Sequence, residues 1–266
     1  MKISQLLAFP LTASAAVLQD PLAPSTWPHK IPSVYESAVM GRRILGLAKL
    51  GDLATIFPSS SSATDDASTA AAPAEVAGMP ITMMDYLADC ESIGNPTLLA
   101  LSIGTTFRNA AAGSNVTLSL RWIPPYAPAK RMSFLSSLAS WFVSGSSAAD
   151  PAPPDTVPYS AANLPRVSLM GYIEPITPGE TNHADLVKCF VNTHPDAKYW
   201  LPGNPIHHAS WARLVVTQIY WVGGFGDRAY IGWIPVEDWN KVTQAEWQKI
   251  RLPGEKPGWS EWSIDL

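Results

Sequence analysis

The stretch YWVGGFGDRAYIGWI, residues 220–234, carries two incompatible readings. Gly224, Gly226 and Ala229 fit G-x-G-x-x-A, the spacing of a dinucleotide-binding loop. Such a loop needs a helix N-terminus immediately behind it, whose free N–H groups meet the pyrophosphate. Here Arg228 to Ile234 alternates aromatic and β-branched residues, which is the pattern of a strand. The motif also falls near the chain end, with no room for a crossover unit behind it. The stretch is therefore read as a β-hairpin: ARLVVTQIYWV (212–222) is one long strand, RAYIGWI (228–234) its partner, and the glycines of GGFGD supply positive φ at the tip.

Outward from the hairpin, further strands follow the same logic. GDLATIF (51–57), GMPITMMDYL (78–87), PTLLALSIG (96–104) and RVSLMGYIEPI (166–176) are short and rich in β-formers. NVTLSLRWI (115–123) alternates, with Val116, Leu118 and Leu120 on one side and Thr117, Ser119 and Arg121 on the other. Helical spacing is expected in VYESAVMGRRILGLAKL (34–50), in a single turn at TFRNAAAGS (106–114), in GETNHADLVKCFVNTHP (179–195), and in PVEDWNKV (235–242) with Pro235 at its start. These strands, short helices and a closing hairpin imply a mainly β, α+β protein: a barrel or sandwich with peripheral helices.

Composition agrees. The 266 residues are 47% apolar and 15% charged, enough for a sizeable core, and the 25 prolines argue against a mostly helical chain. A net charge of −4 leaves no footprint for nucleic acid or an anionic membrane. No apolar run reaches the length of a membrane span. The first residues carry Lys2, an apolar run from Ile3 to Leu11, and Ala13-Ser14-Ala15, so residues 1–15 are expected to be a secretory signal peptide. Two low-complexity or Pro-rich stretches, near 58–78 and 126–163, are expected to be insertions within one domain spanning 28–242, with 243–266 as a C-terminal tail running over the surface. Inside the second insertion, residues 132–143 place Phe134, Leu135, Leu138, Trp141 and Phe142 on one helical face. The opposite face is serine, not Lys or Arg, which favours packing on the domain over a membrane or partner surface.

Signatures of chemistry are sparse. The chain has no G-x-S-x-G elbow, P-loop, H-E-x-x-H or paired C-x-x-C. His207 and His208 are adjacent and on a strand would point to opposite faces, so no metal site is assigned. Cys90 and Cys189 are able to pair in an oxidising compartment, and a loop of that length would restrict the unfolded chain by about 4 to 5 kcal/mol; spacing alone leaves the pairing open. Asn115-Val116-Thr117 is an N-x-T sequon placed after a Gly-Ser turn, which makes Asn115 a candidate glycosylation site.

The block HPDAKYWLPGNPIHHASWARLVVTQIYWVGGFGDRAYIGWIPVEDW (194–239) resembles the closing block of CREG proteins. GDLATI (51–56), GMPI (78–81), PTLLALS (96–102) and PRVSLMG (165–171) resemble further blocks of that family in the same order. The resemblance implies a pyridoxamine 5'-phosphate oxidase-like split β-barrel, a homodimer, and a secreted or endolysosomal/vacuolar glycoprotein without catalysis. Flavin-binding relatives of this superfamily use the segment equivalent to LSIGTTFRN (101–109) to hold the FMN phosphate. The resemblance carries that role to Thr106, Arg108 and Asn109, whose hydroxyl, guanidinium and amide suit a phosphate. CREG proteins resemble the flavin binders in fold but are regarded as not binding flavin, whereas GGFG (223–226) is closer to the cofactor-binding branch. No catalytic residue is assigned. The alternative function is an FMN-dependent oxidoreductase.

Overall fold

A computed structural model describes residues 30–59, 73–126, 160–177, 179, 182–205 and 208–259. The expected signal peptide, the amphipathic segment 132–143, the central parts of both insertions and His207 lie outside the described residues. Seven strands form one sheet: β1 (Leu50–Ile56), β2 (Pro80–Ala88), β3 (Thr97–Leu101), β4 (Val116–Arg121), β5 (Arg166–Pro175), β6 (Ala209–Val222) and β7 (Ile231–Ile234). Every pairing is antiparallel. The order is β3-β2-β1-β4-β5-β6-β7, and an additional β3–β6 pairing closes six strands into a barrel.

The length of β6 makes this closure possible. Its 14 residues run along β5 on one side. On the other side its first part, Ala209–Arg213, takes β3, and its last part, Ile219–Val222, takes β7. Opposite Gly171 the β5–β6 register shifts by one residue, a bulge that bends the wall.

The expected alternation of β4 holds: Val116, Leu118 and Leu120 are buried in the barrel. They meet Leu53, Leu87, Leu98, Leu169, Leu214, Ile219 and Trp221 in one core. That core is shared with helix α1 (Val34–Leu47), which begins on a capping box: Ser33 Oγ accepts from Glu36 N–H while the Glu36 carboxylate accepts from Ser33 N–H. Two further helices pack on α1, namely α4 (Val236–Lys241) and α5 (Gln244–Lys249), which bring in Trp239 and Trp247. The remaining helices are the short α2 (Thr105–Ala111) and α3 (His183–Thr193). A second cluster, Ala88, Leu99, Ile176, Leu186, Phe190 and Trp211, seats α3 against β2, β3 and β6.

Two expectations change. The tail after residue 242 was expected to run over the surface, but it delivers Trp247 and Leu252 into the barrel core. Seven Trp, Gly and Pro residues among its 24 hide the helical start at Thr243, whose capping box with Glu246 is the stronger local signal. In the hairpin tip only Gly224 has a positive φ, 146°; Gly223 and Gly226 do not need one. The loop turns on Arg228 and Ala229 N–H groups donating to the Phe225 carbonyl, so the glycines serve close approach more than handedness.

Candidate functional site

The three residues expected to hold a flavin phosphate all sit on α2, but they do not share a face. A helix turns about 100° per residue, so positions 106 and 109 lie near one another and 108 points almost the opposite way. Thr106 and Asn109 are buried, and Asn109 Nδ2 donates to Thr55 Oγ1 on β1 at 3.1 Å. Arg108 is exposed on the outer side. Thr106 and Asn109 thus fasten α2 to the barrel wall, and the trio does not converge on one phosphate within a single chain.

Asn115 is exposed directly before β4, after the positive-φ turn at Gly113. Ser114 Oγ accepts from Ile56 N–H at 2.8 Å and donates to the Asn115 carbonyl at 2.7 Å, which fixes the backbone and leaves the amide side chain outward. Cys90 and Cys189 are joined by a disulfide across 5.9 Å between Cα atoms, tying the segment after β2 to α3. His208 precedes β6, and its carbonyl accepts from Ser102 N–H. Among the described residues no group of three metal-ligating side chains occurs, and no helix is long and apolar enough to cross a membrane.

A further cleft lies elsewhere, where the barrel splits. β2 and β3 pair only at Leu87–Leu98 and Ala88–Thr97. Beyond those pairs lies a cleft of about 310 Å³ lined by Asp85 and Tyr86 of β2, Leu99 and Leu101 of β3, and Trp200. The Tyr86 and Trp200 rings meet edge to face, 6.2 Å apart at 80°. Tyr86 is braced from behind: its hydroxyl donates to Asp196 Oδ2 at 2.7 Å and its ring packs on His194 at 4.7 Å. His194 is itself buried, its Nε2 2.8 Å from the Leu87 carbonyl oxygen. Burial pushes the Asp85 carboxyl up to about 6, although the Tyr86 N–H donates to it at 2.9 Å. Nearby, burial also raises Asp89 to about 6, against the opposing pull of Arg42 at 3.6 Å.

Sequence reasoning placed no function on Asp85, Tyr86 or Trp200. The available signal was a carboxylate inside an apolar strand, Asp85 in PITMMDYLA (80–88), and a Trp following the His194-Pro195 turn. What the sequence does not carry is the parting of β2 from β3, which creates the cleft.

The six-strand antiparallel barrel, closed by one long strand shared between two neighbours, is a split β-barrel. The CREG β-barrel family pattern matches residues 32–241, and the chain belongs to that family. No curated protein matches the chain in sequence. Among solved structures, it is similar to a heme binding protein from Mycobacterium smegmatis, at 19% identity and a TM-score of 0.48, over 79% of this chain and 61% of that one. It thus spans under two thirds of that relative's length. HutZ, the heme storage protein from Vibrio cholerae, is similar at 12% identity and TM-score 0.41, over 70% of this chain and 93% of that one. An FAD and heme binding protein from Mycobacterium smegmatis is similar at 12% identity and 0.38, over 73% and 79%. Likenesses this distant decide nothing about what this chain binds.

Proposed function

We propose that this chain is a secreted or endolysosomal/vacuolar glycoprotein of the CREG type, a homodimer that works by binding and not by catalysis. The observation that carries the reading is the split orientation on α2. With Thr106 and Asn109 turned into the barrel wall, Arg108 alone remains outside, and one guanidinium is a poor substitute for a phosphate cradle. The disulfide between Cys90 and Cys189 supports passage through an oxidising compartment. The exposed Asn115 at a turn supports glycan attachment.

The test is expression of the full chain in a eukaryotic secretory host. The expected product leaves the cytosol, shifts on glycosidase treatment, loses that shift in Asn115→Gln, runs at twice the monomer mass, and is colourless with and without added FMN. Cytosolic retention with an unmodified Asn115 overturns the glycoprotein reading. A yellow protein that releases FMN on denaturation instead moves the assignment to a flavin-dependent oxidoreductase, in which a partner subunit must complete the phosphate site beside Arg108.

A further inference from the structure

Two arginines stand side by side on the outer wall of the barrel. Arg121, the last residue of β4, is directly opposite Arg166, the first of β5. Both are exposed while their chain neighbours Leu120 and Val167 are buried, so both side chains leave the wall on its outer face. Residues opposite one another on antiparallel strands hold their Cβ atoms about 5 Å apart, and like charges there repel. Among the described residues neither arginine enters an ion pair. Arg166 Nη1 reaches only the Ala162 and Leu164 carbonyls, both at a long 3.5 Å, so most donors of the two guanidiniums are left over. The next pair on the same face, Ser119 opposite Ser168, adds two hydroxyls. Beside Ser168, β6 places Tyr220, and beside Tyr220, β7 places Trp233; the two rings lie 5.1 Å apart and Trp233 is 55% exposed. On the other flank Asp52 stands opposite Ser119 and repels an anion from that side. The Arg pair and the Ser–Tyr–Trp row are two residues apart, roughly 7 Å along the strands. An anion between the guanidiniums would relieve their repulsion with charge-assisted hydrogen bonds. The hydroxyls beside it suit polar groups, and the aromatic pair suits the C–H surface of a ring.

We propose that this face binds an anionic saccharide, its phosphate or sulfate group held between Arg121 and Arg166 and its sugar ring over Ser168 against Tyr220. Charge complementarity carries the inference: the register forces two like charges together and the described residues supply no counter-charge. The proposal names a ligand class for a protein read as acting by binding, and takes only that role from the reading. The face lies at the opposite end of β4 from Asn115 and uses no residue of α2, so it stands or falls apart from the glycan and flavin results.

The test titrates the purified full-length protein with glucose 6-phosphate, glucose 6-sulfate, glucose and inorganic phosphate, following heat of binding and tryptophan fluorescence. The two charged sugars are expected to bind, and glucose to bind at least tenfold more weakly. Their order ranks phosphate against sulfate, and either order supports the proposal. Arg121→Gln and Arg166→Gln are each expected to weaken the charged sugars by about tenfold, the loss of a hydrogen bond to a charged group. Thermal unfolding of both variants is expected to be unchanged or later, because each removes one of two repelling charges. Tyr220→Ala is expected to weaken glucose 6-phosphate several-fold and to leave inorganic phosphate unchanged, which separates the ring contact from the anion contact. Equal binding of glucose and glucose 6-phosphate overturns the proposal. So does full affinity in the double Arg121→Gln/Arg166→Gln protein, or no binding at about 10 mM. Inorganic phosphate binding as tightly as glucose 6-phosphate would leave an adventitious ion only, and overturns it as well.

Discussion

Gly171 has the least room of the described glycines. A Cβ built there would stand 1.8 Å from the Val215 carbonyl oxygen, inside the bulge where β5 and β6 slip register. The obstacle is backbone, so it cannot rotate away, and any side chain must pry the ladder apart. Gly171→Ala is expected to cost about 3 kcal/mol or more of folding stability, read as a fall in the urea midpoint, because small-to-large changes in a packed site already cost 1 to 3 kcal/mol when side chains can give. Gly226→Ala is the control: it has an ordinary φ and its nearest neighbour, Ile231 Cδ1, lies 3.6 Å from the added carbon. A near-neutral change is expected there, and an equal cost at both sites would sink the argument. The sequence announces a glycine in a strand, which signals a bulge or a close approach, but not which of the two or against what. The same holds on α2. The angular separation of Arg108 from Thr106 and Asn109 is readable from helix geometry alone; what is not readable is which face turns to the barrel.

At the scale of elements, the strands were legible because their alternation and length are local properties. The long β6 run in particular announces a strand able to serve two neighbours. The role of α5 was not legible, because it depends on a distant groove. Gly46 of α1 leaves room for the Trp247 ring, whose Cη2 would lie 2.7 Å from a Cβ there. Arg43 extends over that ring and donates to the Trp247 carbonyl at 3.1 Å. Its guanidinium also donates from Nε to Glu255 at 2.9 Å and from Nη2 to the other oxygen of the same carboxylate. Further along, Trp122 Nε1 donates to the Pro253 carbonyl at 2.6 Å. The segment beyond the family-matched region therefore closes the end of the barrel against α1. Trp247→Ala is expected to cost about 3 to 5 kcal/mol, the range for removing a buried aromatic ring, measured by denaturant unfolding at constant m-value. A change below 1 kcal/mol would mean the tail is only draped on the core.

The molecule combines two opposite sets of carboxylates, and their balance shapes how its stability varies with pH. Burial raises Asp85 and Asp89 to about 6. In the folded protein they still hold protons at a pH where the unfolded chain, with ordinary carboxylates near 4, has released them. Their contribution to stability is therefore full below about pH 4 and declines as pH rises to about 6. The second set runs the other way. Hydrogen bonds from Thr243 and Tyr35 lower Glu246, and the Tyr86 hydroxyl lowers Asp196. Glu255 is also lowered; burial works against this, but the bonds from Arg43 and Leu252 N–H outweigh it. The stability these three give is present above the ordinary carboxylate range and is lost as pH falls through their lowered values. The two sets together place the maximum in mildly acidic solution, at about pH 4 to 5, and not near neutrality. Urea midpoints measured from pH 3 to pH 8 are expected to rise, peak in that window and fall toward pH 6 to 7. Asp85→Asn, which keeps the shape and has no proton to lose, is expected to flatten the falling limb and leave the rising limb unchanged. A midpoint that climbs steadily to pH 7 would contradict the assignment of both buried carboxylates.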